Sequence, residues 1–314
     1  MRRETLKSPA RVAALGGPCI PRDIQNESAN HRYRLNKVGV TGVEKPVEVR
    51  RKGRNLTLTT TIDVFVDLPQ EQKGSHLSRN LEVINELVDR SVREPVGSLE
   101  ELTETVARLL LKKHEYATTS EVWARADYFL ERRSPWGHTS MEPYHLVARA
   151  NARRGSASVE RSIGVEVVGM TACPCAMEMV RDRLVKEHPE IKEWPSDIPF
   201  VTHNQRNLTT VILQEPDGFD IEADDLIDIV EASMSAPTYG LLKRADEGRL
   251  VELAHANPRF VEDVAREVLD RLLAKYPKMP DATWVRVKSE AEESIHKHNA
   301  FAERAATFGE LRAP

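Results

Sequence analysis

The sequence predicts an α+β fold, with antiparallel sheets carrying helices on one face and two modules in tandem. Three observations lead there. VGVTGVEKPVEVRR from Val38 and LTLTTTIDVFVDL over 56–68 are rich in β-branched residues and alternate, the pattern of half-buried strands. LEVINELVDRSV (81–92) and LEELTETVARLLLKK (99–113) then carry apolar residues at helical spacing. The same order, strands before helices before strands, recurs loosely after residue 155. Strands grouped apart from helices give antiparallel sheets with the helices on one side.

Taken in order, residues 1–35 form an irregular, basic arm with Gly16-Gly17-Pro18 and no sustained period. Disorder is the expectation there. The first module spans 36–154. Gly74 to Arg79 reads as a loop between its second strand and its first helix, and Ser98 caps the second helix. Residues 118–130 and 145–152 read as a strand pair joined by SPWGHTSMEPY. The small polar run Arg153-Arg154-Gly155-Ser156-Ala157-Ser158 is the expected boundary. The second module, 155–314, reads as a strand near 159–168, a helix over 177–188 and a strand over 207–214. Helices over 225–234 and 260–276 follow, then strands at 284–289 and 301–307. Asn257-Pro258 stops the helix of 260–276 from extending backwards. A four-stranded sheet has two open edges, which invite pairing between modules or subunits, so oligomers are expected.

Composition excludes several classes. The chain has 314 residues, 30% of them charged, and a net charge of −4. That is a mildly acidic chain with no bulk case for nucleic-acid binding. No apolar run approaches the roughly 18 residues of a membrane span, and the N-terminus lacks the apolar core of a signal peptide. Three cysteines, two of them one residue apart, make no disulfide framework. A reducing cytoplasm is the expected compartment.

The chemistry gathers at Gly169-Met170-Thr171-Ala172-Cys173-Pro174-Cys175-Ala176-Met177. A strand runs in and a helix runs out. A thiol at a helix N-terminus is biased towards thiolate by the dipole and the free N–H groups. A C-x-C pair does not close an unstrained disulfide on itself, so the residues suit one reactive thiol with a neighbour, or two buried structural cysteines. His203-Asn204-Gln205-Arg206 stands before a strong strand, where a histidine is a ligand or an ordinary hydrogen-bonded residue. In Glu293-Ser294-Ile295-His296-Lys297-His298, an extended chain would turn both imidazoles to one side; beside an acid they suit metal ligation and proton transfer. Lys243-Arg244-Ala245-Asp246-Glu247 reads as a solvated charged loop, or as cations for phosphate beside a carboxylate ligand. Glu262 and Asp263 open a helix, where acids serve the dipole, or where a glutamate can accept N–H bonds from a base edge.

In order along the chain, VGVTGVEKPVEV, GSHLSRNLEVINE, GMTACPCAMEM, HNQRN, APTYGLLKRADE, NPRFVEDV and ESIHKHNAFA resemble the metal-dependent GTP cyclohydrolases of the type IB and methanopterin-pathway group. The long form of the first two pieces is more similar to the archaeal methanopterin branch. The resemblance implies two tandem tunnelling-fold modules, with subunits joining their sheets into a barrel. It also implies a homodimer or homotetramer with sites at subunit interfaces.

Carried over position by position, the resemblance makes Cys173, His203, Glu247 and His296 the metal ligands, with Asp246 a rival for Glu247. Glu262 would anchor guanine, and His298 and Glu293 would be proton-handling or supporting groups beside the metal. Lys243, Arg244, Arg206 and Arg79 are candidates for the phosphates. A thiolate, two imidazoles and a carboxylate accept iron(II), zinc or manganese; the resemblance implies iron(II). The implied reaction opens the GTP imidazole ring at C8 and releases formate. It leaves 7,8-dihydroneopterin 2′,3′-cyclic phosphate, or the triphosphate in the folate branch. A nitrile reductase of the same fold, with the cysteine as nucleophile and NADPH as reductant, is the rival enzyme class. A metal-binding assembly without turnover is the rival outside enzymes.

Overall fold

The computed structural model describes residues 23–51, 54–195 and 198–313. Most of the expected arm, residues 1–22 with Cys19, lies outside the described residues. Strands β1 (Leu35–Arg51) and β2 (Arg54–Leu68) form a long hairpin, and helices α1 (Leu77–Arg93) and α2 (Leu99–Lys113) follow. Strands β3 (Thr119–Arg133) and β4 (Thr139–Arg153) complete the first half. This pair is longer than the sequence suggested. Most of the SPWGHTSMEPY connection is strand, and the turn shrinks to Ser134–His138, closed by Ser134 N–H donating to the His138 carbonyl at 2.8 Å and by Gly137 at φ 91°. α1 likewise starts earlier than expected, taking in Leu77, Ser78 and Arg79.

The second half runs β5 (Glu160–Ala172), α3 (Pro174–Glu187), a short 3-10 turn (Pro189–Glu193) and β6 (Asn204–Glu215). It continues through α4 (Ala223–Ser233), β7 (Ala236–Pro237), α5 (Arg244–Ala256), α6 (Val261–Lys275), β8 (Trp284–Ala291), β9 (Ala300–Thr307) and α7 (Phe308–Arg312). Helix α5 replaces the charged loop expected there. Its first turn closes on itself, with the Lys243 amide donating to the Asp246 carboxylate at 3.3 Å. Leu250 and Ala254 on its inner side are buried.

All strands join one antiparallel sheet in the order β1-β2-β3-β4-β5-β6-β8-β9, with β7 added beside β5. The halves therefore do not hold separate four-stranded sheets: β4 pairs with β5 from Asn151↔Glu160 to His145↔Glu166. In the first half both helices fall between the second and third strands; in the second, α3 lies between β5 and β6, α4, α5 and α6 lie between β6 and β8, and α7 follows β9. Within the chain the sheet stays open, ending at β1 and β9.

Alternate residues of the strands bury on one side. Val64 pairs with Val122 and Val165 with Val211, which pairs with Val287, and all five are fully buried. Against them pack Leu102, Val106 and Leu110 of α2, Leu226 and Val230 of α4, and Val264, Val268 and Leu272 of α6, in one continuous core. Each such aliphatic side chain contributes roughly 1.5–3 kcal/mol on burial. α3 is the exception, with no buried residue.

Past Glu166, β4 parts from β5, and β7 takes its place beside Gly169 and Met170. Gly169 allows this approach, because a Cβ there would sit 2.0 Å from the Met234 sulfur. The C-terminal end of β5 is thus enclosed by β6 on one side and the β7 segment on the other.

Candidate active site

Cys173 follows the last residue of β5 and caps α3, with extended backbone at φ −74° and ψ 117°. Pro174 occupies the first helical position, where its missing N–H costs nothing. The Cys173 sulfur accepts the Ala176 N–H at 3.4 Å, so the thiol sits on a free donor of the helix N-terminus. It is half-buried, whereas Cys175 is exposed. This separates the pair: one thiol faces the fold and the other faces outward.

His203 comes to the same point because β6 runs antiparallel to β5 in a register that pairs Ala172 with Asn204. One step beyond, the Cys173 N–H donates to the His203 carbonyl at 3.0 Å. The Thr202 hydroxyl donates to the Cys173 carbonyl at 2.7 Å. The other flank is tied as well. The Ala172 N–H donates to the Ser235 hydroxyl at 3.1 Å, and the Arg259 N–H donates to the Ala172 carbonyl at 3.0 Å. Asn257 reaches the Met234 and Ser235 carbonyls through its side-chain amide.

The His203 ring is largely buried. Its Nδ1 lies 2.8 Å from Gln205 Oε1 and 3.6 Å from the Glu293 carboxylate. Glu293 is placed by the main chain, since the Glu292 N–H donates to the Arg206 carbonyl at 2.9 Å. From there the chain bends out as the β8–β9 loop with His296 and His298, both exposed. The loop is bent rather than extended, yet the two imidazoles still face one way. Their rings stack at 5.0 Å between centroids, 11° from parallel.

The remaining candidates sit on helix starts. Asp246 is buried, bonded to the Lys243 amide and 3.1 Å from His138 Nε2. Its neighbour Glu247 is exposed on the outer side of α5, as are Lys243 and Arg244. Of the rival pair, Asp246 is therefore committed to the helix start and Glu247 faces outward. The same division appears at α6: Asp263 accepts the Phe260 N–H at 3.0 Å, and Glu262 beside it is exposed. The Arg259 bond to Ala172 places that helix start next to Cys173. Arg206 is exposed on β6, and Arg79 donates to the Lys113 carbonyl at 3.1 Å, away from this end.

One end of the sheet thus brings together Cys173, His203 and Glu293, with the His296–His298 loop continuing from Glu293. It does not bring Glu247 into the same group: among the described residues no three His, Cys, Asp or Glu side chains converge to hold a metal. By donor chemistry the two residues Cys173 and His203 suit a divalent ion, since a thiol and an imidazole carried on main chains bonded to each other are the sulfur and nitrogen donors that zinc and iron(II) accept. Sequence reasoning gave no role to Thr171, Thr202, Gln205 or Ser235, and read Asn257 only as part of a helix stop; all five hold this arrangement. Gln205 lay inside a noted motif, but polar residues at a strand start carry no signal of what they will face.

A family model described as type I GTP cyclohydrolase folE2 matches residues 22–302. GTP cyclohydrolase MptA of Methanosarcina mazei is 42% identical over 304 residues, 92% of this chain and 96% of that protein. MptA of Methanocaldococcus jannaschii is 40% identical over 92% of this chain and 96% of its own length, and MptA of Methanococcus aeolicus is 39% identical over 92% and 98%. Among solved structures, uricase from Arthrobacter globiformis aligns with 87% of this chain and 93% of its own at a TM-score of 0.47 and 10% identity.

Proposed function

The chain belongs to the type I GTP cyclohydrolase family and is an enzyme acting on GTP, and from that membership we propose that it opens the GTP imidazole ring at C8, releases formate and forms 7,8-dihydroneopterin 2′,3′-cyclic phosphate for methanopterin biosynthesis. The relatives named above are all MptA enzymes, which favours this product over the triphosphate and sets the nitrile-reductase reading aside. The observation that carries the reading is the Cys173–His203 pair, bonded through the main chain at the end of β5 in a chain matched by the family over 22–302.

In this reading Cys173 and His203 hold the metal, iron(II) by expectation, with zinc or manganese as alternatives. His296 and Glu247 complete the set. Bound there, the ion supplies Lewis-acid activation of water near neutral pH. The chain's own groups do the rest. Glu262, left unengaged by the cap that Asp263 provides, accepts N–H bonds from the guanine edge. His298, stacked on His296, moves a proton at a ring nitrogen as the C8 bond breaks, and Glu293 supports His203. Lys243 and Arg244, exposed at the start of α5, face the phosphates. Assembly into a homodimer or homotetramer is part of the proposal. It is supported by the open edges β1 and β9 and by Glu247 facing away from the Cys173 group within its own chain.

One experiment tests this. Anaerobic incubation of the protein with GTP and iron(II), with products identified by mass, should give formate, pyrophosphate and the cyclic phosphate. A dihydroneopterin triphosphate would move the protein to the folate branch. No ring opening with any of the three metals would sink the reading.

A further inference from the structure

We propose that Gln205 is a positioning residue that fixes the tautomer of His203, and that Glu293 acts by orienting the Gln205 amide. The inference rests on the reading of His203 as a metal ligand. Three contacts of one side chain carry it. Gln205 Oε1 lies 2.8 Å from His203 Nδ1. Gln205 Nε2 lies 3.3 Å from the Thr171 hydroxyl and 3.4 Å from Glu293 Oε1.

The two ends of an amide differ, and the surroundings decide which end faces which partner. A carboxylate offers only acceptors. If the amide were reversed, its oxygen would face the Glu293 carboxylate with no proton between them, and its NH2 would face His203. As placed, the NH2 donates to Glu293 and to Thr171, and the oxygen is turned to the imidazole. An oxygen cannot donate, so His203 Nδ1 must carry the proton and Nε2 keeps its lone pair. An imidazole whose second nitrogen is held by such a partner is fixed in ring orientation and made more basic as a ligand. Register explains why the unit forms. Gln205 pairs with Thr171 across the β5–β6 ladder, and His203 and Glu293 are both largely buried, at 13% and 12% exposure. Water is thereby a poor substitute for either partner.

The test uses metal-free full-length protein, with 15N-labelled histidine observed by NMR and manganese(II) titrated in. The wild type should show His203 protonated at Nδ1. Gln205→Leu, similar in size but without an acceptor, should lose the single tautomer and bind manganese(II) about 10–100-fold more weakly. Gln205→Glu keeps an acceptor at the same place and should retain the Nδ1–H form, which a purely structural role for Gln205 would not predict. Glu293→Gln removes the charge that orients the amide and should also yield mixed tautomers; it stands in if Gln205→Leu does not fold. An Nε2–H tautomer in the wild type overturns the proposal, as does unchanged tautomer and affinity in Gln205→Leu or, in its stead, Glu293→Gln. Neither readout involves GTP. A protein that shows the Nδ1–H form and binds metal, yet leaves GTP intact, would refute the assigned reaction and leave this inference standing.

Discussion

Cys173 and His203, thirty positions apart in the chain, are bonded neighbours: the amide of one donates to the carbonyl of the other at 3.0 Å. The bond continues the β5–β6 ladder by one step beyond Ala172↔Asn204. Everything inserted between them, including α3 and the 3-10 turn, loops out from this point. The main chains that carry the thiol and the imidazole are therefore held by the sheet, while α3 caps the thiol through the Ala176 N–H.

Cys173→Ala should abolish ring opening and lower bound metal, while Cys175→Ala should retain both. The two thiols differ in placement, one capping α3 and half-buried, the other exposed. Metal analysis alongside a GTP assay checks this. Equal losses in the two variants would contradict the assignment.

At α5 the two adjacent acids should separate by function. Asp246→Asn weakens the helix start and the contact with His138, and should cost on the order of 1 kcal/mol in stability. Glu247→Gln should leave the denaturation midpoint unchanged and reduce metal content. Chemical denaturation and metal analysis of both variants decide it.

Glu262→Gln should raise KM for GTP by at least tenfold, with metal content unchanged, because Asp263 alone serves the helix cap. Asp263→Asn should do the reverse, lowering thermal stability with little change in KM. Loss of metal in Glu262→Gln would count against its base-anchoring role.

Glu215, at the end of β6, is pushed up to about 7, mainly by burial, with repulsion from Glu100, Asp220 and Glu104 outweighed only in part by Arg161. The folded state therefore holds this proton more tightly than the unfolded chain, whose glutamate titrates near 4.5. Stability should fall as pH rises from about 4.5 to about 7, then level off. Glu215→Gln should remove that slope and stabilise the protein above pH 7 by an amount on the order of 1–3 kcal/mol. Melting temperatures from pH 5 to 9 test it, and a variant less stable than the parent at pH 8 would refute it.

Much of the architecture was legible in local sequence. Alternation gave β2, helical spacing gave α1 and α2, and Asn257-Pro258 marked the start of α6, because each signal acts between near neighbours in the chain. α5 was missed for a physical reason: RADEGRLVELAHA buries only a narrow strip, so its apolar spacing is faint and its charged start resembles a loop. The open edges pointed to pairing between modules or subunits, but no local pattern says which strand will lie beside β4, leaving the β4–β5 junction that makes one sheet undecided.

The sequence alone determined most of the element types, though not α5, together with the thiol at a helix start and the ordered motifs of the cyclohydrolase family. Only the tertiary structure decided that Cys173 meets His203, that Gln205 stands between His203 and Glu293, and that Asp246 turns inward while Glu247 turns out. Those facts depend on strand register and on which face of a helix is buried. Both are set by contacts between residues far apart in the chain, and a one-residue slip in the β5–β6 register would turn Gln205 to the opposite face.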